Sequence, residues 1–181
     1  LMYFLFSLFC VNNVICMKIF RFLLVLCGTL FASMGLAGEI DGMRFIHIGL
    51  EEGLSHSTIF GINQDKEGNL WFATYDGFNK YDGYNFTVYR HQYKNPKSIA
   101  SDITRCVVID NDNRIWIGTR EGLSLYNHRK NEFSNFFYKK KGQNVTVRNI
   151  VPMQKDWLML GTTEGILLFD VKGERFLNDT L

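Results

Sequence analysis

Three acidic residues precede a glycine at matching places in the sequence, and pairs of carboxylates are the usual machinery of glycan hydrolysis. They are Asp76, Glu121 and Glu164. Such a set could supply a general acid and a general base if the fold brought the side chains to one face. Turn chemistry is the simpler explanation of their repetition, because residues such as Asp before Gly suit tight turns.

Other loop positions on the same expected face could bind a sugar without cleaving it. Tyr75 offers a ring for stacking, and Arg120 offers a planar guanidinium that suits a carboxylate or a sulfate. Loops on a rigid scaffold commonly carry binding residues, although each of these side chains could instead be a solvated turn residue. The candidate ligand-binding residues are His56, Tyr75, Asp76, Arg120, Glu121 and Glu164.

Signals for other chemistry are missing from the sequence. The four histidines are scattered without metal-ligand spacing, and no Gly-rich phosphate loop, nucleophile elbow or paired-cysteine zinc pattern occurs. Three consecutive lysines at 139–141 are interpreted as a solvated connection rather than an anion site. We therefore expect no metal and no cofactor.

The first 37 residues have the layout of a secretory signal peptide. They lack acidic residues and place Lys18 and Arg21 before an apolar run that ends in small residues at Ala37. We expect cleavage after Ala37, with an uncleaved membrane anchor as the alternative. Residues 1–16 precede a better start at Met17 and suggest an over-extended start. In either case the remainder of the chain is predicted to be exported.

Charge and cysteine counts change once this segment is set aside. The chain of 181 residues has 20 Lys and Arg, 18 Asp and Glu, and four cysteines. Lys18 and Arg21 account for the whole net charge of +2, so the remainder is balanced and shows no signature of nucleic-acid binding. Cys106 is the single cysteine left, so no internal disulfide can form, and a buried apolar role is expected for it.

An internal repeat organises the residues after the signal. Asp65 aligns with Asp110 and Trp71 with Trp116, and a third, looser copy has methionines at both places. Each copy contains four short alternating strands, which in the first copy are predicted at 59–64, 70–74, 78–81 and 86–90. Four strands every ~45 residues is the blade period of a β-propeller. We therefore predict an all-β fold with about three four-stranded blades of an incomplete ring.

Repeated aromatic and glycine positions are assigned to the scaffold, with aromatic side chains filling the space between blades. These scaffold positions are Trp71, Gly77, Tyr81, Trp116, Gly122, Tyr126, Gly165 and Phe169. Arg105 and Arg148 occupy matching first-strand positions, where Phe60 stands in the first copy, and could point toward the axis or outward.

The predicted organisation is a signal peptide at 1–37, a lead-in at 38–56, and blades at 57–97, 98–141 and 142–181. Residues 43–48 resemble a fourth strand without its blade, which in propellers commonly completes the last blade and seals the ring. Three blades and one strand cannot close a ring that typically needs about 4–8 blades. The chain is therefore interpreted as the N-terminal fragment of a longer protein.

The repeat letters resemble the two-component regulator propeller. The residues that carry the resemblance run from Gly53-Leu54-Ser55 through Leu70-Trp71 to Tyr81-Asp82-Gly83, and again from Ile115-Trp116 to Tyr126. The resemblance covers roughly residues 43–177. It implies the periplasmic sensor of a Bacteroidetes-type hybrid histidine kinase, part of an inner-membrane protein, which detects an oligosaccharide and controls genes for glycan use.

The same resemblance implies further blades and downstream domains of the chain as partners, and a homodimer in the full-length form. It assigns the kinase and DNA-binding domains to regions beyond this segment, which would itself be neither an enzyme nor a nucleic-acid contact. Two other functions stay open: a secreted propeller enzyme acting on polysaccharide, and an adhesion or scaffold propeller that does not signal.

Overall fold

Three four-stranded antiparallel sheets form the fold in a computed structural model that describes residues 45–154 and 156–177. Contacts group the residues from His47 onward into one unit, within which all three sheets lie. The predicted signal peptide lies outside the described residues. The sheets confirm the all-β propeller fold that the repeat predicted.

Each sheet is a meander in which consecutive strands pair, so the strand order follows the chain. Blade 1 contains β1 (Ile59–Gln64), β2 (Leu70–Thr74), β3 (Phe78–Tyr81) and β4 (Phe86–Tyr89); blade 2 contains β5 (Thr104–Ile109), β6 (Ile115–Thr119), β7 (Gly122–Asn127) and β8 (Glu132–Phe136). A short hairpin of β9 (Lys139–Lys140) and β10 (Gln143–Asn144) precedes blade 3, which contains β11 (Val147–Met153), β12 (Trp157–Thr162), β13 (Gly165–Asp170) and β14 (Arg175–Leu177).

The first strands of successive blades lie side by side, β1 against β5 and β5 against β11. Each of the three has a register shift near its start, at the position of Phe60, Arg105 and Arg148 respectively. A bulge of this kind re-aims one side chain and increases the local twist. The three side chains therefore share a structural position at the entrance of the innermost strands.

Successive side chains of a strand point to opposite faces of its sheet. The second strand of blade 2, β6, therefore contributes side chains to the interfaces with both neighbouring blades. Ile115 and Ile117 pack toward blade 1 with Trp71 and Phe78, while Trp116 packs toward blade 3 with Phe169. Trp71 is fully buried and its ring centroid lies 5.1 Å from that of Tyr126 in the next blade. Tyr81, the counterpart of Tyr126, is half-buried and packs on Phe86 within its own blade.

The predicted blade bounds at 57–97, 98–141 and 142–181 each contain one observed sheet, while the β9–β10 hairpin straddles the second boundary. Residues 45–49 lie in no strand, and residues 43 and 44 are outside the described residues. Ring closure by the segment at 43–48 stays a prediction. In the described part of the chain, no helix is long and apolar enough to cross a membrane.

Candidate functional site

One turn is built three times at the end of the molecule where each second strand meets the third. The Thr74 hydroxyl donates to the carbonyl oxygen of Gly77 at 2.8 Å, and its oxygen accepts from the amide of Asp76 at 3.3 Å. Thr119 and Thr162 make the same two bonds in their own turns. The turn thereby fixes the three acidic residues that follow the threonines by two positions.

The acidic side chains each have a different partner. Asp76 forms a salt bridge with Arg90 of its own blade at 3.0 Å. Glu121 accepts a hydrogen bond from the side-chain nitrogen Nδ2 of Asn144 at 3.0 Å, and Glu164 forms a salt bridge with Lys140 at 3.3 Å. Glu121 and Glu164 line one groove, whereas Asp76 is engaged in blade 1. The arrangement is one of separate polar contacts, not of three carboxylates directed at one bond.

A polar groove of about 690 Å³ lies between the second and third blades. Its walls are the acidic turns of these two blades and the β9–β10 hairpin. The charged and amide side chains at its lining include Arg120, Glu121, Lys139, Lys140, Asn144 and Glu164. A second recess of about 580 Å³ shares Arg120, Glu121 and Asn144 with it and extends toward His91 and Phe137. Three predicted ligand-binding residues, Arg120, Glu121 and Glu164, therefore come together here.

The remaining predicted residues, His56 before β1 and Tyr75 after β2, are part of an aromatic platform at one end of blade 1. The ring of Tyr75 lies 5.4 Å from that of His56 and 6.5 Å from that of Phe60, measured between centroids. The guanidinium carbon of Arg105 stands 4.6 Å from the Phe60 ring centroid, a cation–π distance. Tyr75 is 49% exposed and Phe60 39%, so both rings remain accessible.

Phe60 and Arg105 are absent from the site predicted by sequence. The alignment of the copies puts Phe60, Arg105 and Arg148 in one column, which marked the position but left its direction open. The bulge and the contact of β1 with β5 turn Arg105 onto Phe60 of the neighbouring blade. This column was the signal that could have added both residues to the predicted site.

Asp65 and Asp110 serve the scaffold through a contact that the sequence analysis did not predict. Asp65 accepts a hydrogen bond from the indole nitrogen of Trp71 at 2.8 Å, and Asp110 accepts one from Trp116 at 2.9 Å. Burial raises the pKa of Asp65, but the hydrogen bonds from Trp71 and Asn69 outweigh it and hold the pKa below its ordinary value. The third blade lacks both partners, with Met153 and Met159 at these places.

Metal and thiol chemistry gain no support from the geometry. Within the described residues, no group of three or more His, Cys, Asp or Glu side chains is placed to hold a metal ion. Cys106 is buried between blades 2 and 3, and burial raises the pKa of its thiol to about 12. A thiol with such a pKa is protonated at neutral pH and is a poor nucleophile.

Comparisons with known proteins agree with this geometry. Residues 53–76 and 98–121 match the family described as two component regulator propeller. Histidine kinase P4 of Formosa agariphila is 37% identical over 70 residues, which are 39% of this chain and 5% of the kinase. The chain therefore spans only a small part of that relative.

Solved structures give the same result for the fold. The extracellular domain described as that of a hybrid two component system from B. thetaiotaomicron is 31% identical, with a TM-score of 0.65 over 75% of this chain and 20% of that chain. A second extracellular domain, described as that of a one component system from the same organism, is 19% identical, with a TM-score of 0.61 over 75% of this chain and 18% of that chain.

The solved neighbour that is 31% identical is an extracellular domain, which indicates an extracytoplasmic location for this segment as well. The four-stranded blades, the repeated residues and the solved structures all indicate the same fold. This chain carries two-component regulator propeller repeats, in a β-propeller fold that it shares with the extracellular domains of hybrid two-component systems.

Proposed function

We propose that this chain is the ligand-sensing propeller segment of a hybrid sensor histidine kinase and that it recognises an oligosaccharide. The observation that carries the proposal is the accessible platform of Tyr75 and Phe60, held beside His56 and Arg105. Apolar ring faces of sugars stack on such side chains, and nearby polar groups bond the hydroxyls. The turns around the groove between blades 2 and 3 supply polar groups of this kind.

Signalling would be indirect, because the phosphotransfer chemistry belongs to the cytoplasmic side of the inner membrane. A ligand shifts a conformational equilibrium only by its difference in affinity for the two states. In the proposed mechanism, the oligosaccharide favours one packing of periplasmic domains within a homodimer. The kinase would then alter transcription of genes for glycan use.

The test is a titration of the complete extracytoplasmic domain with a panel of defined oligosaccharides, by calorimetry and by thermal shift. A bound sugar raises the melting temperature by mass action. Tyr75→Ala should weaken binding by about tenfold, which corresponds to about 1.4 kcal/mol and is comparable with one aromatic contact. Tyr84→Ala is the matched control, because Tyr84 is 89% exposed in the β3–β4 turn, away from the platform.

Three outcomes separate the functions. Binding without turnover, weakened by Tyr75→Ala and unaffected by Tyr84→Ala, supports the sensor. Release of shorter sugars would instead favour a polysaccharide-cleaving enzyme and would overturn the proposal. Failure of every sugar to bind would favour an adhesion or scaffold propeller.

A further inference from the structure

We propose that the groove between blades 2 and 3 is a subsite for an anionic substituent of the ligand, a carboxylate or a sulfate. Arg120 and Lys139 would hold this group. The inference rests on the proposed function, since it assumes that the same face binds an oligosaccharide. It adds the chemical class of the sugar, which that proposal leaves open.

The charge balance of the groove is the first argument. Three cationic side chains and two carboxylates line it. Both carboxylates already have partners, Glu121 with Asn144 and Glu164 with Lys140. Among the described residues, Arg120 and Lys139 form no salt bridge, although both line the groove. The Asn144 amide is neutral, so the groove keeps a net charge of +1, and Arg120 and Lys139 are its two cations without a carboxylate partner.

The backbone around Arg120 is fixed from both sides, which is the second argument. Its amide donates to the carbonyl oxygen of Ile103 at 3.0 Å, and its own carbonyl accepts from the Thr146 hydroxyl at 2.9 Å. The first bond lies within blade 2 and the second reaches the lead-in to blade 3. The Arg120 side chain therefore extends from an ordered backbone at the junction of two blades, and its planar guanidinium suits a carboxylate or a sulfate.

The lysine run forms a wall of the groove, which is the third argument. Residues 139–141 are exposed, as expected, yet they build a hairpin in which Lys139 pairs with Asn144 and Lys140 with Gln143. The turn has positive φ at Lys141 (51°) and at Gly142 (80°), the pattern of a tight two-residue hairpin. Lys139 and Lys140 of this hairpin line the groove.

The hairpin is tied to both blades through its side chains. Lys140 reaches Glu164 of blade 3, and Asn144 reaches Glu121 of blade 2. The amide of Val145 also donates to the carbonyl oxygen of Tyr138 at 3.0 Å, which closes the base of the hairpin. These contacts hold the hairpin against both blades, and Lys139 lines the same groove as Arg120.

The experiment compares sugars that differ only in charge, using the complete extracytoplasmic domain and calorimetry. One pair is oligogalacturonate and its methyl ester; the other is a sulfated galacto-oligosaccharide and its unsulfated form, which has no carboxylate. We expect the charged member of at least one pair to bind about tenfold more tightly. Added salt should reduce this difference, since exposed charges are screened. The pair that shows the preference identifies carboxylate or sulfate as the anion.

Variants then assign the preference to the groove. Arg120→Ala and Lys139→Ala should each weaken the binding of the charged member more than that of the neutral member, and so remove most of the charged-over-neutral preference, because only the charged sugar can form an ion pair. Arg120→Lys should retain part of it. Arg129→Ala and Lys130→Ala are matched controls, because both residues are exposed in the β7–β8 turn, outside the groove.

The results distinguish this inference from the proposed function. Equal binding of charged and neutral members, or an equal loss for both in Arg120→Ala, overturns the anionic subsite and leaves the oligosaccharide sensor standing. Binding of neutral sugars alone has the same meaning. If no sugar in either pair or in the panel binds, the proposed function itself fails.

Discussion

At the scale of single residues, the hydrogen bond between Asp65 and Trp71 explains why the first two copies of the repeat have both the aspartate and the tryptophan. The carboxylate occupies the turn before the second strand, accepts from Asn69 within it, and accepts from the indole six positions on. Trp71 is thereby held in the interface between blades 1 and 2 with its polar nitrogen satisfied. The loss of both letters together in the third copy is consistent with this pairing, because either partner alone would leave a polar group unpaired.

Asp65→Ala should destabilise the protein by about 1–3 kcal/mol, because it leaves the buried indole nitrogen of Trp71 without an acceptor. Asp65→Asn retains one acceptor oxygen and should cost less. The measurement is urea unfolding of the complete extracytoplasmic domain, followed by tryptophan fluorescence. Equal stability of Asp65→Ala and the wild type would contradict the role assigned to this contact.

The Asp65 contact should also depend on pH. The folded-state pKa of Asp65 lies below its ordinary value, so its stabilisation is fully present above the unfolded-state pKa of about 3.9 and is lost as pH falls through the folded-state pKa. Unfolding of wild type and Asp65→Asn should be compared from neutral pH to below about pH 3. The wild-type advantage should shrink in the acid range; an advantage that stays constant throughout would count against it.

At the scale of elements, the turn between the second and third strands has the same hydrogen bonds in all three blades but differs in how it is packed. In each turn the threonine hydroxyl donates to the carbonyl oxygen of a glycine with positive φ, which begins the next strand in blades 2 and 3 and directly precedes it in blade 1. In blade 2 the turn is covered: a Cβ added to Gly122 would lie 2.5 Å from the carbonyl oxygen of Phe136. In blade 3, a Cβ added to Gly165 would meet nothing within 4 Å.

Gly122→Ala should therefore be more destabilising than Gly165→Ala. Both substitutions carry the backbone cost of alanine at positive φ, which is more than about 1 kcal/mol. Only Gly122→Ala adds a collision with the backbone of β8, which cannot turn away as a flexible side chain can. Urea unfolding of the two variants side by side measures the difference. Equal costs would mean that the backbone strain alone sets the requirement for glycine.

At the scale of the whole molecule, the face of blade 3 that points away from blade 2 carries exposed apolar side chains, within the described residues. Ile166 is 65% exposed, whereas Leu123, its counterpart in blade 2, is fully buried against blade 3. Met153 is 49% exposed on the same blade. In a propeller, such a face is the one on which a further blade would pack, because each blade buries its neighbour's apolar side chains.

Residues 38–181 expressed alone should self-associate or fold poorly, because the apolar face and sheet edges remain open. Size-exclusion chromatography with light scattering should find species larger than one chain. Ile166→Asp should reduce self-association, whereas Thr163→Asp, in the nearby exposed turn, should leave it unchanged. A monomer with a sharp, reversible, two-state melt would contradict this prediction.

The sequence alone determined the strands, the turns and the repeat, and with them the propeller fold. These features depend on neighbours close along the chain: alternation from Leu70 to Thr74 predicts a strand, and glycine after Asp76 predicts a turn. The first blade's strands were predicted to within one residue, with the fourth ending at Tyr89 and not at the following arginine. The end of the molecule at which the candidate ligand-binding loops meet follows from the same meander.

Only the tertiary structure decided which of those side chains meet. Arg105 stacks on Phe60, Lys140 pairs with Glu164, and Asp76 is occupied by Arg90. The first two of these contacts join separate blades or join the hairpin to a blade, and no local pattern encodes them. Their geometry depends on blade packing, bulges and the hairpin at Lys141, so the sequence could name candidate residues but could not divide them between a platform and a groove.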